Sequence, residues 1–172
     1  MSLDIPVIET DRLILREPRL SDHAAFCAYF AQPRSKWNGG PLDPHQVEGM
    51  ITSAAGGWAL RGYGLWFVTL KGGDDAIGFA GIFHPFDWPE PELGYGIASA
   101  YEGKGIAFEA ATAARSAAAT HLGLTHLPSY ISPDNARSQA LALRMGATRE
   151  ANITLRDKVA HVYRHPAQEA LT

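Results

Sequence analysis

The sequence holds one cysteine, Cys27, in 172 residues, so no disulfide can close within the chain. Cys27 follows Ala24, Ala25 and Phe26 in a segment that reads as the first helix, where a buried thiol is expected. Charge of one sign is also scarce. Fifteen Lys and Arg stand against 18 Asp and Glu, and no four like charges are consecutive. An obligatory nucleic-acid partner therefore lacks its broad basic footprint. A small polyanion stays open as a ligand, because aligned backbone amides suffice to hold it. No uninterrupted apolar run reaches the roughly 18 residues that cross a bilayer. Met1 to Leu13 lack the basic and apolar blocks of a secretory signal. A soluble, cytoplasmic protein with no membrane association is expected. His84, His121, His126, His161 and His165 have no compact ligand spacing, so no metal is expected.

What is present suits one α/β domain over residues 1–172, with a core over about 10–165. Hydrophobic residues make up 46% and charged ones 19%, which excludes a mostly disordered chain. Leu13–Arg16 reads as the first strand. A helix follows over His23–Ala31, capped by Ser21 or Asp22 and ended by Pro33. The glycines and proline of Ser35–Pro41 argue against a regular element there. A second helix runs from Pro44 to about Leu60, its end blurred by Gly56-Gly57. Gly64–Leu70, Ala76–Phe83 and Glu92–Ala98 form a meander. Pro85, Pro89 and Pro91 make a loop between the last two strands. Phe86 and Trp88 in that loop would be costly to leave in water, so it either covers a groove or packs on the domain's own surface.

After Gly105 the pattern turns strongly helical. Ile106–Ala119 is alanine-rich, and alanine loses no side-chain entropy in a helix and allows close packing on a sheet. Gly123 closes the unit. Leu124–Ser132 reads as a strand despite Pro128. A short helix begins at Pro133-Asp134-Asn135 and ends at Met145-Gly146, followed by strands at Ala147–Thr154 and Val159–Arg164. This alternation implies a mixed, mostly antiparallel sheet flanked by helices.

The most informative stretch is Glu102-Gly103-Lys104-Gly105-Ile106-Ala107, between a strand and a strong helix. Gly103 and Gly105 free the backbone to turn several N–H groups inward, and the helix start adds more donors and a positive end. That arrangement can hold a pyrophosphate, with Lys104 adding charge. It can equally be a glycine turn and helix cap with Lys104 in solvent. Walker A spacing and Gly-x-Gly-x-x-Gly are both absent, so these two familiar phosphate loops fit less well.

Glu102–Ala107 resembles the acyl-CoA pyrophosphate loop of the GNAT superfamily of N-acetyltransferases, which usually reads Gln/Arg-x-x-Gly-x-Gly/Ala. Gly105 and Ala107 match the small positions, while Glu102 departs at the first. Further matches are Thr10–Arg16, Glu92-Leu93-Gly94-Tyr95, Gly103–Ala110, Pro133–Ser138 and Leu143–Ala147. Together they resemble the branch that acetylates ribosomal-protein N-termini (RimJ/RimL-like). The resemblance spans roughly residues 10–164. It implies a splayed central strand pair, with acetyl-CoA as the cofactor and CoA as a product.

On that resemblance Ile97, Gly103, Lys104, Gly105, Ile106, Ala107, Asn135 and Ser138 hold the cofactor. Backbone donors near Gly94–Ile97 would steady the thioester oxygen. Glu92 is the first candidate to take the amine proton or to fix the ammonium; its plain alternative is an edge-facing or salt-bridged glutamate. Ser138 would stabilise the leaving thiolate, with Asn135 beside it; locally the two also fit a helix cap and a surface residue. Tyr95 and Tyr130 are alternate acids. Trp37, Trp66, Phe86 and Trp88 either line an acceptor groove or pack in the core. The implied acceptor is a primary amine, either a protein N-terminus or a small molecule such as an antibiotic. Glu102 and Ala147, where the family more often has an aromatic residue, leave open a CoA-binding regulatory protein without turnover. Related enzymes often form homodimers, and the same is an expectation here.

Overall fold

The computed structural model describes residues 4–169. Its strands are β1 (Ile8–Glu9), β2 (Leu13–Arg16), β3 (Leu65–Leu70), β4 (Ala76–Phe83), β5 (Glu92–Ile97), β6 (Pro128–Ile131), β7 (Thr148–Leu155) and β8 (Lys158–Arg164). The helices are α1 (His23–Phe30), α2 (Pro44–Arg61), α3 (Ile106–Leu122) and α4 (Ala136–Arg144). The strands divide into two sheets, one ordered β1-β2-β3-β4-β5 and the other β6-β8-β7, and every paired neighbour is antiparallel. β5 and β6 touch without a ladder between them. The expected α/β sheet flanked by helices is thus present, and it splits at the expected strand pair.

Period-two alternation feeds both faces of the larger sheet. On β3, Trp66 and Val68 join one core, while Phe67 joins the other. The first core lies under α3, whose Ala110, Ala111, Ala114 and Ala118 are fully buried. Larger side chains would hold that helix off the sheet, which accounts for its alanine content. The second core packs Phe26 and Phe30 of α1 and Val47 and Ile51 of α2 against Phe67 and Phe79.

α2 ends where expected, within a residue of Leu60: it runs through Gly56-Gly57 and stops at Gly62, whose φ of 74° gives a left-handed cap. Several local expectations change. Pro33–Asn38 forms a 3-10 turn, because Pro33 suits its first position and Gly39 closes it. β6 is shorter than the expected strand, starting at Pro128. Neither Ser21 nor Asp22 caps α1 by its side chain. Asp22 instead accepts 2.7 and 3.0 Å bonds from Arg16, and both are buried. Cys27 is half-buried, with Sγ 3.6 Å from His23 Nε2. No helix among the described residues is long and apolar enough to cross a membrane.

Candidate active site

Where β5 and β6 part, side chains replace the missing ladder. Ser129 Oγ donates to the Leu93 carbonyl at 2.7 Å, and the Tyr130 N–H donates to Glu92 Oε2 at 2.7 Å. Trp88 Nε1 donates to the other Glu92 oxygen at 2.9 Å. Glu92 faces β6 across the open edge of β5, is buried there and has no cationic partner among the described residues, so it is not salt-bridged. Burial pushes its carboxyl up to about 7 against the lowering effect of those two donors. Glu90, two residues earlier, is paired instead with Arg164.

A second bond set braces the opening from behind. His165 is fully buried, with Nε2 2.9 Å from Ser129 Oγ and Nδ1 3.5 Å from Arg115 Nη1. Burial, with Arg115 and Arg164 nearby, depresses the imidazole to about 4 and keeps it neutral at pH 7. Ser129 has one proton and gives it to Leu93, so His165 Nε2 donates to Ser129 while Nδ1 accepts from Arg115.

Two cavities meet here. The larger, about 770 Å3, is lined by Gly103, Gly105, Ile106, Ala107 and Ile97. The smaller, about 390 Å3, is lined by Glu92, Tyr130 and Trp88. Trp37, Asn38, Tyr95, Asn135 and Ser138 line both and form the junction. Asn38 sets it by accepting from Tyr29 Oη at 2.6 Å and donating to the Tyr95 carbonyl at 3.4 Å. Only glycine fits beneath, since a Cβ at Gly96 would lie 2.3 Å from Tyr29 Oη.

The larger cavity has the features of a polyanion site. Gly105, at φ 76°, is the N-cap of α3 and has no side chain to cover the helix's free N–H groups. Arg34, Arg137 and Arg144 also line the cavity. Glu102, the departure from the family pattern, pairs with both Arg34 and Arg137. The two arginines outweigh Glu102 by one positive charge, so net cationic charge reaches this position from two other segments. Arg144 lies 4.1 Å over the Phe108 ring, which lines the same cavity. These donors fit the phosphates of an acyl-CoA.

Not every expected residue joins. Phe86 is 99% exposed and lines neither cavity, so it neither covers a groove nor packs on the domain's surface. Lys104 lines neither; its Nζ bends back to the Ala100 carbonyl at 3.4 Å. Trp66 is fully buried and donates to the Pro6 carbonyl at 2.7 Å. Tyr95 directs its hydroxyl at the Ser138 carbonyl, 3.2 Å away, and burial raises it far above the usual phenol range. That proton is committed and hard to release, which weakens Tyr95 as an acid. Burial, with Glu90 and Glu92 nearby, pushes Tyr130 up to about 12. Asn135 caps α4, accepting from the Ser138 N–H at 3.3 Å and donating to Ser138 Oγ at 3.0 Å. The Ser138 hydroxyl proton is therefore left to point elsewhere. Ala147 packs with Ile131, Ala142 and Tyr163 and lines neither cavity.

Sequence reasoning missed Arg34, Arg137, Lys36, Arg156 and the Ser129–His165 brace. Arg137 sat inside the Pro133–Ser138 match and carried a usable signal. The others lie far from any motif. Among the described residues no group of three or more His, Cys, Asp or Glu could hold a metal ion.

Comparison with known proteins agrees with this geometry. Residues 12–148 match the acetyltransferase (GNAT) domain family. A Bacillus subtilis (strain 168) protein named "Uncharacterized N-acetyltransferase YoaA" is 30% identical over 151 residues, covering 84% of each chain. The crystal structure of an acetyltransferase from Agrobacterium tumefaciens str. C58 superposes with a TM-score of 0.86 at 35% identity, covering 96% of this chain and 97% of that one. RimL, a ribosomal L7/L12 alpha-N-protein acetyltransferase in complex with coenzyme A, shares the fold with a TM-score of 0.76 at 16% identity, over 93% and 97% of the two chains. The chain belongs to the GNAT acetyltransferase family and is an acyl-CoA-dependent acetyltransferase.

Proposed function

We propose that the protein transfers an acetyl group from acetyl-CoA to a primary amine, with protein N-termini as the first acceptor class to consider. The single observation that carries the reading is the position of Glu92. A buried, unpaired carboxylate raised to about 7 lines one cavity, and a glycine-and-arginine cradle lines the other.

Bound in the larger cavity, acetyl-CoA supplies the activated acyl group. Gly105, the start of α3, Arg34 and Arg137 hold its phosphates, with Ile97 and Asn135 along the arm. The junction at Tyr95, Asn135 and Ser138 is where the amine meets the thioester. Leu93 and Tyr95 turn their carbonyls off the unpaired side of β5, toward Ser129 and Asn38. Strand geometry puts the Tyr95 N–H on that side as well, where it can steady the thioester oxygen.

Glu92 does the proton work. An ammonium must lose a proton before it attacks, and a base with a pKa near ambient pH does this best. As the new C–N bond forms, the C–S bond breaks. Glu92 takes the amine proton directly or through water, and the sulfur departs as a thiolate that accepts a hydrogen bond from the Ser138 hydroxyl and takes its proton from solvent. Trp37 and Trp88 line the path of the acceptor.

The N-terminal acceptor is supported by the sequence resemblance to the RimJ/RimL-like branch and by the shared fold with RimL. A small-molecule acceptor is favoured by the modest size of the second cavity, about 390 Å3, which suits a compact ligand. Thiol release from acetyl-CoA in the presence of N-terminal peptides and small amines tests the reading. Amine-dependent release is expected. CoA binding without release across the panel would sink it.

A further inference from the structure

Glu92 is the only carboxylate that lines the acceptor cavity among the described residues, yet three cations line it as well: Lys36, Arg156 and Lys158. All three are exposed. Arg156 is already engaged, donating to Asp87 at 2.6 and 2.9 Å and lying 4.7 Å over the Trp88 ring. Lys36 and Lys158 have no ion-pair partner among the described residues. The Lys36 ammonium sits 4.4 Å from the Trp37 ring centroid, on the same cavity wall.

Both lysines stand on pinned backbone. Lys36 belongs to the 3-10 turn that Asn38 ties to β5. Lys158 opens β8 opposite Leu155, across a two-residue turn in which Arg156 and Asp157 have φ of 47° and 62°. The Arg156–Asp87 pair fastens that turn to the loop carrying Trp88. The cavity is thus polarised, with a buried acid for the amine and unneutralised ammonium groups on its exposed side.

We propose that the acceptor is an anionic amine, one whose body carries a carboxylate or phosphate on the far side of an apolar spacer, read by Lys36 and Lys158. The inference rests on the acetyl-transfer reading above and names its substrate class. A carboxylate on the carbon next to the amine would face Glu92 and be repelled, so the anion must lie further out. Trp37, Phe83, Trp88 and Leu155 supply the apolar wall for the spacer. An acidic side chain near a peptide N-terminus and a free amino acid analogue with a distant anion share this chemistry.

The experiment compares benzylamine, 4-(aminomethyl)benzyl alcohol and 4-(aminomethyl)benzoate, with two peptides that differ only by Asp or Asn at the second residue. The benzoate is expected to exceed benzylamine in kcat/KM by about tenfold at low salt, the combined effect of two exposed ion pairs. The benzyl alcohol should behave like benzylamine. Rising ionic strength should shrink the ratio, because exposed charges are screened. In the K36Q/K158Q variant the ratio should fall close to one. A ratio near one in the unaltered protein, or a ratio that persists in the double variant, overturns the anionic acceptor and leaves acetyl transfer intact. No turnover of any amine overturns acetyl transfer itself. A larger preference within the peptide pair assigns the anion to a protein chain, and a larger one within the benzyl series assigns it to a free amine.

Discussion

The two cavities that meet at Tyr95 and Ser138 are built in opposite ways. The larger is in good part a backbone device: Gly103 and Gly105 and the start of α3 are neighbours in sequence, and the helix leaves its first N–H groups uncapped beside the cavity. The smaller is a side-chain device, assembled from the Pro33–Asn38 turn, β5, β6, the loop around Trp88 and the β7–β8 hairpin. A backbone device tolerates drift in its surroundings as long as the glycines remain. A side-chain device can be re-lined one residue at a time, which is why the acyl donor is easier to name than the acceptor.

The sharpest way to separate the two halves is Glu92→Gln. Amine acetylation should fall by roughly 10²–10⁴, the usual worth of a general base, while CoA affinity stays constant. A matching loss of CoA affinity in calorimetry would show that the halves are not independent.

The same substitution should reveal what Glu92 costs the fold. Its pKa is raised from the usual 4.5 to about 7, so the folded state holds a proton that the unfolded state has released. Stability should therefore fall as pH rises through that window, by about 3 kcal/mol in all, and level off above pH 7. Glu92→Gln should lose this slope and gain on the wild type at pH 8. Parallel denaturation curves at pH 5 and pH 8 would contradict it.

On the cofactor side, replacing Arg34 and Arg137 together with Gln should weaken CoA by about tenfold and leave pantetheine binding unchanged. Equal losses for both would deny the arginines a phosphate role. Gly105→Ala is a smaller probe. Its φ of 76° disfavours any side chain, and a Cβ would sit 3.6 Å from Arg12 Nη2. A stability loss of about 1 kcal/mol is expected before any effect on the ligand, so melting and CoA affinity must be measured together. Smallest is Ser138→Ala, with kcat lowered about fivefold and CoA affinity hardly changed. An unchanged kcat would leave the thiolate to water.

Much of the fold was legible because local rules agreed with the tertiary outcome. The alanine run reads as a tightly packed helix and becomes one, and β3 alternates as its two cores require. The failures have physical causes. Asp22 looked like a cap, but the buried Arg16 guanidinium competes for it and wins by charge. Phe86 was expected to seek cover and finds none.

By itself the sequence determined the family and the glycine-opened start of α3, because the Glu102–Ala107 turn and the helix after it are contiguous backbone. Only the tertiary structure decided the burial of Glu92 and the charge that lines the smaller cavity. The pKa of Glu92 depends on its burial beside Trp88 and Tyr130, 38 positions downstream. Lys36 and Lys158, so far apart in the chain, line one cavity because the β7–β8 hairpin and the Pro33–Asn38 turn meet there. Desolvation and through-space charge are properties of the folded volume, and no local spacing encodes them.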